Sequence, residues 1–329
     1  MDYQEFLDSI DRKAYHEGEW RWQEGDLTVT RTNHWSPPGC HNGCGVLLSV
    51  DKDGKLVHIE GDPLAPFNGG KLCMRCLDMV EAVNHPDRLK YPLKRAGERG
   101  ENKWERLTWD EAYDIIVENF KRVADTYGAD KIACCQDTGR DIHQITRINA
   151  SVGSPNEGVP YFAGNSCYLP RIASMACMLG DPCVMDCSQF LVDRYDDPRY
   201  ELPKYMLIWG RDPLWSNPDG LFGHSTVDMM KRGMKLITVA PRVTWLGSRA
   251  EYNIQLRPGT DAAVGLAMLN VVLGEDLYDH EFCENWVFGV DDLKERVADK
   301  TPEWAEEITW VPAAVIRGAA RAFATNAPS

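Results

Sequence analysis

The chain has 329 residues, 43% of them apolar and 26% charged, the balance of a water-soluble globular protein with room for roughly two ordinary domains. Its formal charge of −14 argues against nucleic acid or anionic membrane as the main partner, because both repel an acidic surface. No run approaches the ~18 apolar residues of a membrane span. The opening stretch, MDYQEFLDSIDRKAYHEGEW, has neither a secretory signal pattern nor a twin-arginine pair, so a cytoplasmic location is expected.

Residues 1–33 are polar with scattered aromatics and no clear period, which predicts an extension wrapping the domain that follows. From Gly45 the pattern changes. VLLSV, then Asp51-Lys52-Asp53-Gly54, then KLVHIEGD reads as a β-hairpin turning at the Asp-Gly pair. Pro63, Pro66 and Gly69-Gly70 make a loop before Cys73. A helix is predicted at 109–127, with Thr108 and Glu111 as a capping box and Gly128 as its stop. Trp109, Ala112, Ile116, Phe120, Val123 and Tyr127 share one face of it. Beyond, KIACC, YMLIWG (205–210) and KLITVA (235–240) read as short buried strands, and the stretches near 169–180, 220–232 and 261–273 as helices. That alternation predicts an α/β fold, a doubly wound parallel sheet with helices on both faces. Ligands of such sheets sit at the carboxyl ends of the strands. There is no internal repeat or low-complexity tract.

Eleven cysteines in a reducing compartment favour metal or redox chemistry over structural disulfides. Cys134 and Cys135 read instead as small apolar residues of a buried strand. The strongest local signal is Cys40-His41-Asn42-Gly43-Cys44 followed by Cys73-Met74-Arg75-Cys76, four thiols on two knuckles that the hairpin would bring together. Zinc takes four thiolates as a structural staple. A cubane iron–sulfur cluster also takes four ligands, a nitrogen donor sometimes replacing one cysteine. Spacing alone leaves both metals open.

The segment PGCHNGCGVLLSVDKDGKLVHIEGDP…NGGKLCMR resembles the N-terminal domain of the dimethyl sulfoxide reductase family of molybdopterin enzymes. There the motif is C-x2-C-x3-C, a hairpin, then C-x-K or C-x-R. The resemblance makes Cys40, Cys44 and Cys73 ligands of a [4Fe-4S] cluster. It makes Arg75 the basic residue between cluster and pterin, on the electron path. The first ligand position falls on Pro37, which cannot bind metal. Some relatives use an upstream histidine, and His34 stands at that spacing; Cys76 is the competing ligand, at what is usually a glycine position. His34 is slightly favoured.

The likeness runs from about residue 34 to the end. YPLKRAGERGENKWERLTWDEA resembles the family's bridge into its first α/β domain. YMLIWGRDPLWSNPDGLFGH resembles the segment that cradles the nucleotide of the cofactor, implicating Gly210, Asp212, Ser216 and Asn217. KLITVAPRVTWLGSRA resembles the strand followed by D-P-R. Ala240 replaces the aspartate, while Arg242 remains a fork for diphosphate. LRPGTDAA, with Thr260 and Asp261, matches the segment in which the aspartate holds guanine. Read from the residues alone, Asp261 is equally a cap for the helix that follows.

The ligand to molybdenum or tungsten is expected in GNSCYLPR, with Cys167 preferred, since a soft thiolate suits these metals, and Ser166 as the alternative. Cys177, Cys183 and Cys187 read as core or secondary-site residues. His143 and Tyr168 are candidates for proton transfer.

The resemblance thus implies an extension at 1–33, an iron–sulfur domain at 34–95 and a molybdopterin-binding α/β region at 96–329. The expected cofactors are a [4Fe-4S] cluster, molybdopterin guanine dinucleotide (bis-MGD) and molybdenum or tungsten. The expected partners are a small-molecule substrate and the iron–sulfur electron-transfer subunit common in the family. The details look closest to the branch of acetylene hydratase, pyrogallol transhydroxylase and the catechol dehydroxylases. Reductive dehydroxylation of a phenolic substrate is therefore the expected reaction, with non-redox hydration as the enzymatic alternative. Family members are more than twice this length, and the chain ends at RAFATNAPS after a long helical pattern. It therefore reads as truncated, lacking the family's C-terminal half. The remaining alternative is a non-catalytic fragment holding a structural zinc or a lone cluster.

Overall fold

The computed structural model describes residues 16–34, 43–135, 142–158, 168–180, 188–191, 194–215 and 221–329. They fall into two compact units, Met1–Val80 with Cys187–Ser329, and Glu81–Asp186.

In the first unit, β1 (Arg21–Glu24), β2 (Leu27–His34), β3 (Cys44–Val50) and β4 (Leu56–Gly61) form an antiparallel sheet in chain order. Of residues 1–33, expected as an extension, 21–24 and 27–33 are strand residues of this sheet, and the expected boundary at 33/34 falls inside β2. The cause is local. Gly25, at φ 60°, opens a two-residue turn that sets Glu24 opposite Leu27, the geometry a tight hairpin requires. Trp22 and Val29 then bury against Leu47 of β3. The hairpin expected from the Asp-Gly pair forms as β3–β4. Asp51 Oδ1 accepts from the amides of Asp53 and Lys55, both at 2.9 Å, and Gly54 supplies a φ of 79°. A loop then leads to Cys73 and to α1 (Met74–Leu77), and α2 (Met79–Asn84) runs across the division at Val80.

In the second unit, β5 (Leu93–Arg95) and β6 (Trp104–Arg106) form a hairpin before α3 (Trp109–Tyr127). The capping box is present: Glu111 N donates to Thr108 Oγ1 while the Glu111 carboxylate accepts from the Thr108 amide. Of the expected apolar face, Ala112, Phe120 and Val123 are half-buried, but Trp109, Ile116 and Tyr127 are exposed. Periodicity marks the face able to bury; among the described residues no partner covers its exposed part. β7 (Ala133–Cys135) and β8 (Asn156–Gly158) pair in parallel around α4 (Ile142–Ser151), and α5 spans Tyr168–Leu179.

The first unit continues with β9 (Tyr205–Trp209), α6 (Leu221–Lys231), β10 (Lys235–Val239) and β11 (Tyr252–Ile254). These strands form a parallel sheet ordered β11-β10-β9. The helices α7 (Asp261–Gly274), α8 (His280–Trp286), α9 (Val290–Val297), α10 (Pro302–Thr309) and α11 (Ala313–Thr325) complete it. Successive residues of a strand face opposite ways. Ile237 and Val239 accordingly bury against Val264 and Ala267 of α7, Ala305 of α10 and Ile316 of α11. Leu236 packs on the other side with Met229 of α6 and Leu246. Layers on both faces explain why Leu236, Ile237, Thr238 and Val239 are all buried rather than alternately exposed. The α/β architecture is the one the sequence predicts. Among the described residues, no helix is long and apolar enough to cross a membrane.

One close approach positions the cysteine-bearing loop. A Cβ on Gly61 would lie 2.2 Å from the carbonyl oxygen of Gly70, too close for any other residue. Gly61→Ala should therefore lower the unfolding free energy by about 1–3 kcal/mol, read as an earlier midpoint in urea; an unchanged midpoint would contradict this packing.

Candidate metal and cofactor site

His34 ends β2 and Cys44 begins β3, and the antiparallel register pairs them directly. Such partners have Cα atoms about 4.5–5.5 Å apart. Cys44 and Cys76 are buried and Cys73 is half-buried. Cys73 occupies the N-cap position of α1, and its Sγ lies 3.9 Å from that of Cys76. The two cysteine-bearing knuckles that the sequence places far apart are thus within one unit. Cys40 lies outside the described residues, as does Pro37. Among the described residues, no three His, Cys, Asp or Glu side chains converge on a single point.

Charge is distributed for metal binding. The Cys73 thiol is lowered to about 5, chiefly by the hydrogen bond from Cys76. The backbone amides of Cys76 and Arg75 and the Arg75 charge assist, against the opposing effect of burial. Cys73 is therefore a thiolate at neutral pH, the form that binds metal. Burial pushes the His34 imidazole below its ordinary value, and the Cys73 charge only partly offsets this. His34 Nε2 is buried without a hydrogen-bond partner. Leaving such an atom unsatisfied costs about 1–3 kcal/mol, and a metal bond to a neutral imidazole nitrogen removes that cost. This orphaned nitrogen, paired across the sheet with Cys44 and influenced by the Cys73 charge, fits the mixed ligand set of an iron–sulfur cluster.

The loop between β4 and Cys73 is held by residues that no motif marked. Asn68 is fully buried. Its Oδ1 accepts from Gly45 N at 2.8 Å, and its Nδ2 donates to Gly45 O at 3.1 Å and Lys71 O at 2.9 Å. The side chain thus ties the residue after Cys44 to the approach to Cys73. Asp62, also buried, accepts from Arg31 Nε at 2.8 Å, joining the same loop to β2. An Asn before the Gly-Gly pair was the available signal for the first; nothing in the sequence singled out the second.

The second group of expected residues lies at the carboxyl edge of the parallel sheet. Gly210 follows β9 at φ 61°, a conformation glycine adopts without steric penalty. Asp212 is buried, and its Oδ1 accepts from Leu214 N at 3.3 Å, so it organises the turn after β9. Arg242, beyond the end of β10, is largely exposed, with its guanidinium 3.8 Å from Asp212 Oδ2. Thr260 holds the N-cap position of α7 but makes no side-chain cap; its hydroxyl donates to Arg257 O at 2.6 Å. Asp261 is the first residue of α7, and its Oδ1 accepts from Trp209 Nε1 at 2.8 Å. Gly210, Arg242 and Asp261 thus stand where parallel sheets bind ligands, with an exposed guanidinium suited to diphosphate.

Ser166, Cys167, Cys183, Cys187, Ser216 and Asn217 lie outside the described residues. The backbones of His143 and Tyr168 are in α4 and α5, but their side chains lie outside the description. Cys177, expected as core or secondary site, is exposed on α5, because among the described residues none covers that face of the helix. Cys134 is half-buried rather than fully enclosed; among the described residues β7 and β8 form a two-stranded pair.

Residues 37–85 match the family described as Molybdopterin oxidoreductase Fe4S4 domain, and residues 88–326 match Molybdopterin oxidoreductase. Acetylene hydratase of Syntrophotalea acetylenica is 32% identical over 306 residues, covering 88% of this chain and 38% of that protein. Dopamine dehydroxylase of Eggerthella lenta is 33% identical over 246 residues, 74% of this chain and 23% of that one. Dimethyl sulfoxide reductase DmsA of Escherichia coli (strain K12) is 30% identical, over 88% and 39% respectively. The solved structure of acetylene hydratase from Pelobacter acetylenicus superposes with a TM-score of 0.70 at 31% identity, covering 91% of this chain and 39% of that one. The chain thus spans about two fifths or less of the length of these relatives.

Asn68→Ala leaves the buried amide of Gly45 without its acceptor, which should cost about 1–3 kcal/mol and reduce the iron retained after anaerobic reconstitution. Wild-type iron content together with a wild-type urea midpoint would contradict the clamp.

Proposed function

The chain belongs to the molybdopterin oxidoreductase family, that of dimethyl sulfoxide reductase, and from this premise we propose that it is the electron-relay and nucleotide-binding part of an enzyme that removes a hydroxyl group from a phenolic substrate. The family's cofactors are a [4Fe-4S] cluster and molybdopterin with molybdenum or tungsten. The observation that carries the cluster assignment is the buried, unpartnered Nε2 of His34, whose residue pairs with Cys44 across the sheet and whose imidazole feels the Cys73 charge.

In this reading His34, Cys40, Cys44 and Cys73 hold the cluster. Cys76 keeps Cys73 ionised through its hydrogen bond and stands as the competing ligand. Arg75 places a cation beside the cluster, which favours the reduced, more negative state. Gly210, Asp212, Ser216 and Asn217 cradle the nucleotide of a pterin guanine dinucleotide. Arg242 takes its diphosphate, and Asp261, next to Thr260, its guanine. Cys167 is the protein ligand to the metal, with Ser166 as the alternative.

The bound groups supply the chemistry, single-electron transfer at the cluster and oxygen removal or addition at the molybdenum or tungsten. Dehydroxylation of an aromatic ring consumes two electrons and two protons and releases water. An electron-transfer subunit bearing iron–sulfur clusters is the proposed donor. The likeness to dopamine dehydroxylase supports this reaction, and the likeness to acetylene hydratase, which covers more of the chain, supports non-redox hydration as a second reading. The two differ in whether reductant is consumed.

Purification without oxygen should give a brown protein with about four irons per chain, and Cys40→Ser should abolish the colour. A colourless protein carrying zinc would overturn the reading. With the molybdenum or tungsten enzyme, reduced viologen should be oxidised in step with loss of a catechol hydroxyl. Turnover of an unsaturated substrate without viologen oxidation would instead favour hydration.

A further inference from the structure

Asp261 is held by a residue to which the nucleotide reading assigns no part. Trp209, the last residue of β9, donates its indole Nε1–H to Asp261 Oδ1 at 2.8 Å. The donor is fixed from three sides. The strand sets its backbone, its ring packs against the core beneath α7, and a Cβ on Gly265 would lie 3.6 Å from its Cη2. The acceptor is different, because Asp261 is exposed at the start of the helix. An exposed carboxylate samples several rotamers, and holding one of them costs entropy at the moment a ligand binds. A hydrogen bond to an ionised acceptor is among the stronger ones, so the fixed indole selects the orientation in advance.

The chemistry of the pair also selects a ligand. Indole N–H is a donor only, and a carboxylate has about four lone-pair sites. One bond to Oδ1 therefore leaves capacity on both oxygens for two parallel donors. Guanine offers two such donors on one edge, its ring N–H and its exocyclic amine. The matching ring nitrogen of adenine is an acceptor and would be repelled. We infer that Trp209 is a positioning residue that fixes the Asp261 carboxylate for guanine and so sets the preference for guanine over adenine in the bound dinucleotide. This rests on the assignment of Asp261 to guanine proposed above.

Titration calorimetry of the full chain with guanosine diphosphate and adenosine diphosphate tests it. The wild-type chain binds the guanosine form more tightly. Trp209→Phe, which keeps an aromatic ring and loses the donor, weakens guanosine diphosphate by roughly three- to tenfold and leaves adenosine diphosphate unchanged. Asp261→Asn removes the preference, and adding Trp209→Phe to it has no further effect. A Trp209→Phe chain with the wild-type preference, while Asp261→Asn loses it, overturns the inference and spares the guanine assignment. A preference unchanged in Asp261→Asn, or absent from the wild type, overturns both. Independently of ligand, the indole N–H resonance of Trp209 shifts in Asp261→Asn, a surface substitution that does not disturb the core. An unmoved resonance also overturns the inference.

Discussion

In an antiparallel ladder a slip of one residue sends every side chain to the opposite face, so the pairing of β2 with β3 decides what His34 can reach. The register places it opposite Cys44, and several contacts hold that register. The turn at Gly25 sets β1 on β2, burial of Trp22, Val29 and Leu47 fixes which face is inward, and Arg31 reaches Asp62 from β2. From Asp62 the backbone continues into the Asn68 loop, which ends at Cys73. Backbone geometry thus pairs the histidine with the strand-opening cysteine, and Asn68 ties the residue after that cysteine to the approach to Cys73.

The same logic governs the parallel sheet. Its buried strands carry no chemistry along their length; the polar residues come where each strand ends. Gly210 and Asp212 follow β9, Arg242 follows β10, and Asp261 opens the helix after β11. Trp209 links two of these endings, β9 and α7, by a single hydrogen bond. Both candidate sites therefore depend on strand register and on the residue immediately beyond a strand.

Much of this was legible in the sequence, for identifiable reasons. The β3–β4 hairpin, α3 with its capping box, and the strands YMLIW and KLITV each carry a local signal that tertiary structure did not override. The β1–β2 hairpin was equally signalled, by Gly25-Asp26 between RWQE and LTVT, but the polar composition around it concealed a strand pair. Asn68, Asp62 and Trp209 were not legible, because their roles arise from partners distant in sequence. The exposed part of α3 shows the converse: a clear amphipathic period without a covering partner among the described residues.

The claim that the cluster takes a nitrogen ligand from His34 is tested most directly by pulsed electron paramagnetic resonance of the reduced, iron-loaded protein labelled with 15N-histidine. The account predicts a strong coupling to an imidazole nitrogen that vanishes in His34→Ala. A spectrum without nitrogen coupling, together with loss of the cluster in Cys76→Ala, would contradict it and transfer the fourth position to Cys76.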